Sequence, residues 1–388
     1  VSFRRLDLPR GPFPPDSAPT RVATAPVDPV DEAVLSRLEA PRVYSVGSKR
    51  IVRGRLAGGP PERAALAREL ERLPVDAFFQ SADGTTLVTV SRPRSRALHA
   101  GWPFNLVLFL LTLLTTTWGG AYWSGVDPFA GSTPSSLDWD AIGRGLAAGL
   151  PFSLSLLGIL TCHEMGHWIA ARRYGLDATL PFYIPVPPFL SPIGTLGAVI
   201  RMGTPLYDRR ILMDVGAAGP IAGIAAALPI LGYGILTAPL APASSGPGLY
   251  LGEPLLFQAL EALLRPGLGP EQDLIATSLV LAGWLGLFVT ALNLIPIGQL
   301  DGGHVVHALF GRGQLVVGGL ALVALAGMGW FWKGWWMWMA IMLLVVRLGH
   351  PPTLDTELPL DGRRKLVGWL TLLLLVLCFH PMPFELRL

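Results

Sequence analysis

The sequence predicts a polytopic α-helical membrane protein of about seven transmembrane helices, with a membrane-associated β-hairpin or small sheet and a small N-terminal α+β soluble module. Three observations predict it. Only 15% of the 388 residues are charged and 51% are hydrophobic, whereas a soluble domain carries about 25% charged residues. The mean hydropathy is +0.48, and several apolar runs approach the ~20 residues that cross a bilayer core. Arginines and lysines gather at the ends of those runs, where they orient membrane segments. A scattered formal charge of +3 argues against nucleic acid as a partner. The two cysteines, Cys162 and Cys378, lie in apolar segments and form neither a disulfide framework nor a CxxC metal site.

Residues 1–27 read as a disordered, proline-rich tail with no signal-peptide pattern. Val1 stands where an initiator Met would, so residues before it are expected. Residues 28–97 read as the soluble α+β module, placed on the cytoplasmic side. There "PPERAALARELERL" has a helical period, with Pro61 suited to the first turn. "KRIVRGRL" and "VDAFFQSADGTTLVTVSR" read as strands, the second a hairpin about Asp83-Gly84. The module has no His and no Cys, so it is expected to regulate or dock rather than catalyse.

Residues 98–388 hold the membrane segments, expected near 104–123, 145–171, 211–238, 274–297, 314–330, 331–347 and 364–380. The fifth and sixth are short enough to form one tight helical hairpin. With seven spans, the basic clusters at 91–96, 171–173, 208–210, 311–313, Arg347 and 363–365 share one side, which is then cytoplasmic. The loop 240–272 falls outside, with "EPLLFQALEALL" as a surface helix. "GWFWKGWWMWM" (329–339) reads as an interfacial aromatic belt.

One apolar run is interrupted by "HEMGH" (163–167). His163 and His167, four residues apart, share one helix face about a turn apart, with Glu164 between them. A charge at the centre of a membrane helix costs roughly 2.5–3.5 kcal/mol, so something must compensate. A divalent cation accounts for all three residues. In the H-E-x-x-H pattern two histidines bind zinc and the glutamate is the general base. The competing explanation is a hydrogen-bonded pair of core histidines with Glu164 paired to an arginine. Cys162 falls about 100° round the helix from His163 and is expected to face packing.

A catalytic zinc takes three protein ligands and keeps one position open. "ALNLIPIGQLDGGHVVHALF" (291–310) offers the third, because Asn293, Pro296 and Asp301 punctuate a second apolar run. Pro296 breaks a helix, and Gly298, Gly302 and Gly303 allow close backbone approach. Broken helix at membrane depth is tolerated only where it lines a cavity or is buried in protein. Asp301 is therefore the expected third ligand, and a helix N-cap is its other possible role. Asn293 is expected to hydrogen-bond the substrate backbone or an oxyanion, or else to tie up carbonyls freed by Pro296. His304 and His307 are expected to make polar contacts near the cytoplasmic surface; a substitute metal ligand is the less favoured role for His304. Asp214 is expected to pair with Arg209 or Arg210. The small residues of "MDVGAAGPIAGIAAALP" (213–229) permit close helix packing.

"HEMGH" and "NLIPIGQLDGG" together resemble the site-2 protease family of intramembrane zinc metalloproteases, whose signatures are H-E-x-x-H and N-x-x-P-x-x-x-x-D-G. Both are complete, in order, on separate apolar segments, and the resemblance covers about residues 100–350. It implies one zinc per chain, held by His163, His167 and Asp301, with Glu164 as catalytic base. It implies hydrolysis within or near a substrate's transmembrane segment, in regulated intramembrane proteolysis, so that 98–388 is an intramembrane metalloprotease domain. No PDZ insertion lies between the motifs. The N-terminal module, followed by "LPFYIPVPPFLSPIGTLGAVIRMGTP", resembles the cyanobacterial and plastid branch whose plant members are named for ethylene-dependent gravitropism deficiency. Some of those lack the zinc motif, and this chain retains it.

The proline-rich stretch 180–205 is no helix, and "TLGAVIRM" (195–202) suits an extended strand. A substrate helix must unwind before its peptide bond can be cut, and an open strand edge could pair with the unwound segment. Gly194, Thr195, Leu196 and Gly197 are the expected contacts, with Asn293 and Pro296 facing them; a structural hairpin covering the site is the plainer role. The expected setting is an integral multi-pass protein of a bacterial cytoplasmic membrane, with its active site toward the cytoplasm and a membrane protein as substrate. The alternatives are a non-proteolytic membrane metal-binding scaffold and a metal transporter.

Overall fold

A computed structural model describes residues 34–46, 49–73, 75–82, 85–92, 101–130, 136–174, 176, 178–202, 209–243, 248–269, 271–346 and 360–387. The tail 1–27, the turn residues 83–84 and the basic positions 93–96, 208 and 347 fall outside them. The chain divides into two compact units.

Among the described residues, the first unit holds a four-stranded antiparallel sheet and the helix packed on it. Strands β1 (Leu38–Val46), β2 (Lys49–Leu56), β3 (Asp76–Ala82) and β4 (Thr85–Arg92) lie in the order β1-β2-β4-β3. Helix α1 (Pro60–Glu71) opens with prolines in its first turn, where their missing N–H is not needed. The Gly59 N–H donates to Glu62 Oε2 at 2.9 Å and secures that end. Val52, Val88 and Val90 of the sheet form a buried core with Leu66 and Leu70 of α1. β3 and β4 pair from Ala82↔Thr85 outward, which is the register of a two-residue hairpin.

The second unit is mostly helical. Among the described residues, three helices are long and apolar enough to cross a membrane: α2 (Trp102–Trp123), α3 (Trp139–Arg173) and α4 (Arg209–Thr237). α3 packs closely on α2, because a Cβ on Gly149 would stand 1.9 Å from the Thr117 carbonyl oxygen. Thr116 and Ser153 share a hydrogen bond of 2.5 Å across that contact.

The later apolar helices are shorter than a ~20-residue span. Helix α5 (Leu255–Leu264) lies in the segment expected outside and buries Phe257. The expected span 274–297 resolves into a strand, a helix and a turn. β9 (Gln272–Leu274) pairs with β7 (Leu240–Pro242), α6 (Ser278–Leu294) starts at the Thr277 cap, and Ile295 and Pro296 end it. After the turn come α7 (Asp301–Phe310), α8 (Gln314–Met328) and α9 (Gly334–Ile341), the last two packed as a hairpin. α10 (Gly362–Cys378) is capped by the Asp361 carboxylate, which accepts from Arg364 N at 3.0 Å. The terminal β10 (Phe384–Arg387) pairs with β8 (Gly248–Leu251).

Two expectations change here. Trp335 belongs to the core and not to an exposed belt: it is fully buried, its ring stacks on Phe379 at 5.0 Å, and its N–H donates to the Pro381 carbonyl. Trp330, 80% exposed, keeps the belt character. Cys162 is exposed, because His163, Glu164 and His167 take the inward face of α3 and leave Cys162 the outward one.

The hairpin of β5 (Phe182–Pro185) and β6 (Thr195–Val199) lies along α2. Asn105 Nδ2 donates to the Leu180 carbonyl at 3.2 Å, Tyr183 meets Phe109 edge to face, Thr115 donates to the Gly194 carbonyl at 2.7 Å, and Trp123 donates to the Pro192 carbonyl at 3.0 Å. From Asn105 to Trp123 is about 27 Å of helix at 1.5 Å per residue, so the hairpin follows most of a span.

Candidate metal centre

α3 supplies His163, Glu164 and His167 from one inward face, all less than a tenth exposed. α7 supplies Asp301. The six residues between Leu294 and Asp301 reverse the chain, with Gly298 at φ +55°, a conformation that favours glycine. Gly302 is needed next, since a Cβ there would lie 1.9 Å from the Leu294 carbonyl oxygen. The turn brings the aspartate, 138 positions from the first histidine, into contact with it.

His163 Nε2 lies 3.1 Å from Asp301 Oδ2, His167 Nε2 lies 3.3 Å from Asp301 Oδ1, and the two Nε2 atoms are 3.2 Å apart. Bonds of 2.0–2.1 Å in a tetrahedral zinc site place neighbouring ligand atoms about 3.3 Å from one another. The three contacts are close to that length, the two histidines reaching different oxygens of Asp301; two imidazole nitrogens and one carboxylate oxygen, all within 4.8 Å of one another, give a donor set that fits a divalent cation and leaves a position open. Among the described residues, His163, His167 and Asp301 form the group able to hold a metal, and His304 is not part of it.

The surroundings orient the ligands. His167 Nδ1 donates to the Val215 carbonyl oxygen of α4 at 2.7 Å. A carbonyl only accepts, so Nδ1 carries the proton and Nε2 turns its lone pair to the cluster. Asn293 Nδ2 stands 3.4 Å from His163 Nε2, which puts the amide at the site. Glu164 faces the backbone amide of Ile200, just beyond β6. One turn before Glu164, Thr161 Oγ1 and Tyr183 Oη are 2.7 Å apart and join α3 to β5.

The other expected residues are placed as follows. Asp301 is the first helical residue of α7, and Leu300 holds the N-cap position. Pro296 sits in the turn that ends α6. Gly194, at φ +83°, and Thr195 are buried, and Thr195 Oγ1 donates to the Ile184 carbonyl at 2.9 Å. Leu196 is 73% exposed, and Gly197 has open space where a Cβ would be. Asp214 takes its bidentate partner from Arg364 of α10, at 2.9 Å and 2.7 Å, because the start of α10 meets α4 there. Arg209 instead donates to the Ala308 and Leu309 carbonyls at the end of α7, both at 2.8 Å. Val215, Tyr183 and Ile200 escaped sequence reasoning, since a backbone group or a tyrosine in a strand carries no motif.

Residues 151–318, which contain both motifs, match the model of peptidase family M50. The chain is 31% identical over 268 residues to "Probable zinc metalloprotease EGY1, chloroplastic" of Arabidopsis thaliana, covering 67% of this chain and 47% of that protein. It is 30% identical over 321 residues to the protein of the same name from Oryza sativa subsp. japonica, covering 76% and 53%. "Probable zinc metalloprotease EGY2, chloroplastic" of Arabidopsis thaliana is 28% identical over 246 residues, covering 62% and 43%. The chain thus spans about half the length of these relatives. No solved structure matches it.

Proposed function

From the match of residues 151–318 to the model of peptidase family M50, we propose that this chain is an intramembrane zinc metalloendopeptidase. It hydrolyses peptide bonds within or near the transmembrane segments of membrane proteins. The observation that carries the reading is the convergence of His163, His167 and Asp301, which bring one ligand atom each to within 4.8 Å of the others.

His163, His167 and Asp301 would hold the zinc. Bound there, zinc would supply Lewis acidity toward the scissile carbonyl and toward water. Glu164 takes the proton that the attacking water loses and passes it to the leaving nitrogen. Asn293 donates to the substrate carbonyl oxygen as charge builds on it.

β6 receives the substrate. Among the described residues it pairs only with β5, which leaves its second edge without a strand partner. Open strand edges are not tolerated in hydrocarbon, and an unwound substrate segment that adds to this edge satisfies both backbones. Leu196 and Gly197 meet the substrate, while Gly194 and Thr195 hold the hairpin in shape on α2.

The finer topology belongs to the same reading. α2, α3 and α4 make three crossings, and α6 with its turn, α8, α9 and α10 make four shorter ones, for which the bilayer thins locally. The basic clusters then share the cytoplasmic face of a bacterial membrane, and residues 28–97 serve as a cytoplasmic docking module.

The test uses purified protein in proteoliposomes with a single-span model substrate. Wild type should cut it, and a chelator should stop the reaction. Glu164→Gln should keep its zinc and lose turnover by roughly 10²–10⁴-fold. Turnover by E164Q at the wild-type rate would remove the general base and favour the non-proteolytic scaffold.

A further inference from the structure

α4 carries no ligand, yet three of its glycines face three parts of the metal centre. A Cβ on Gly219 would stand 2.0 Å from His167 Nε2 and 2.4 Å from its Cε1. On Gly216 it would stand 2.8 Å from His304 Cβ and 3.6 Å from the Asp301 carbonyl oxygen. On Gly223 it would stand 3.0 Å from His163 Nδ1. Non-bonded carbon contacts are comfortable at about 3.5–4.0 Å. A methyl at 219 must therefore displace the His167 ring.

That ring has nowhere to go without losing its role. Its Nδ1–H is bonded to the Val215 carbonyl at 2.7 Å, one helical turn before Gly219 and on the same face. The same turn of α4 thus does two things. Its carbonyl selects the tautomer that frees Nε2, and its missing side chain makes room for the ring at that distance. Pro220 follows at once; lacking an N–H, it leaves the Gly216 carbonyl without its helical donor.

We infer that α4 is the positioning wall of the metal centre. Val215 and Gly219 set the tautomer and place of His167, and Gly216 and Gly223 make room, less tightly, for the Asp301 turn and for His163. These are positioning residues, and they act on metal affinity through the ligands. The inference rests on the metal reading above and extends it to a helix that donates no ligand.

The experiment measures zinc affinity of the full detergent-purified chain by competition with a chromophoric chelator, with cobalt(II) absorption as a second readout of ligand geometry. Gly219→Ala should weaken zinc binding by about 100-fold, Gly216→Ala by about 10-fold and Gly223→Ala by a few-fold, the span seen when supporting groups of a metal site are altered. Gly158→Ala, on α3 where a Cβ meets nothing within 4 Å, should bind as wild type does. Wild-type affinity and an unchanged cobalt spectrum in G219A would overturn the inference while the metal reading stands. Absence of zinc and cobalt binding in the wild type would overturn the metal reading itself, and this inference with it. Should G219A fail to fold, the same change is made in a His167→Ala background. Folding there supports the ring contact as the cause, and failure to fold there overturns it.

Discussion

Pro151 stands inside α3 and the helix runs on through it, whereas Pro296 arrives at the end of α6 and the helix stops. Each removes a donor and crowds the preceding turn, at about 3 kcal/mol in a helix interior. The neighbours decide the outcome. Around Pro151, Phe152 and Ser153 are fully buried and Gly149 lets α2 close against the backbone, so packing holds the helix. After Pro296, Gly298 adopts a left-handed φ, and Gly302 and Gly303 fit against the carbonyls of Leu294 and Gly298. A proline permits a break, and glycines that can occupy the turn complete it. The two halves of the metal centre follow from this: one offers two ligands on a continuous helix, the other delivers its ligand from a turn.

The largest effect expected is at the delivered ligand. Asp301→Ala should reduce zinc from about one per chain to a trace, measured by elemental analysis, because two buried histidines then face a site without its carboxylate. Gly302→Ala should lose zinc almost as completely, although Gly302 touches no ligand atom. Its Cβ would meet a backbone oxygen that cannot yield, and retained zinc there would show that the turn can repack. Asn293→Ala should keep zinc and lose turnover by roughly 10²-fold, the scale of one oxyanion donor, in the proteoliposome assay. Pro151→Ala should change zinc affinity by less than about twofold, since it restores a helical bond far from the ligands. A large loss in P151A would mean that the continuous half is strained as well, and the contrast would fail.

The chemistry was legible early for a local reason. H-E-x-x-H puts its three groups on one helix face by geometry alone, so the pattern needs no tertiary information. Asp301 was legible because ionisable and helix-breaking residues stand out in an apolar run, and the resemblance joined the two segments. The first-unit hairpin was legible for a similar reason, since Asp83-Gly84 between two alternating runs leaves little choice of register. Spans were harder to read. The expected segment 274–297 is apolar throughout, and hydropathy does not show that Thr277 starts the helix or that Leu294 ends it. The aromatic run 329–339 is uniform in composition, yet one of its tryptophans is core and another is 80% exposed.

By itself the sequence determined what local spacing and composition control: an apolar chain, a basic edge to its segments, and the three side chains of the candidate metal centre in two motifs. Only the tertiary structure decided which atoms support them. The Val215 carbonyl is the same group at every residue, and no composition marks it. The glycines at 216, 219 and 223 read as helix packing until the histidines are seen against them. The ion pair of Asp214 reached 150 positions along the chain to Arg364. Partners of that kind are chosen by which helix faces meet, and that depends on the packing of the whole unit.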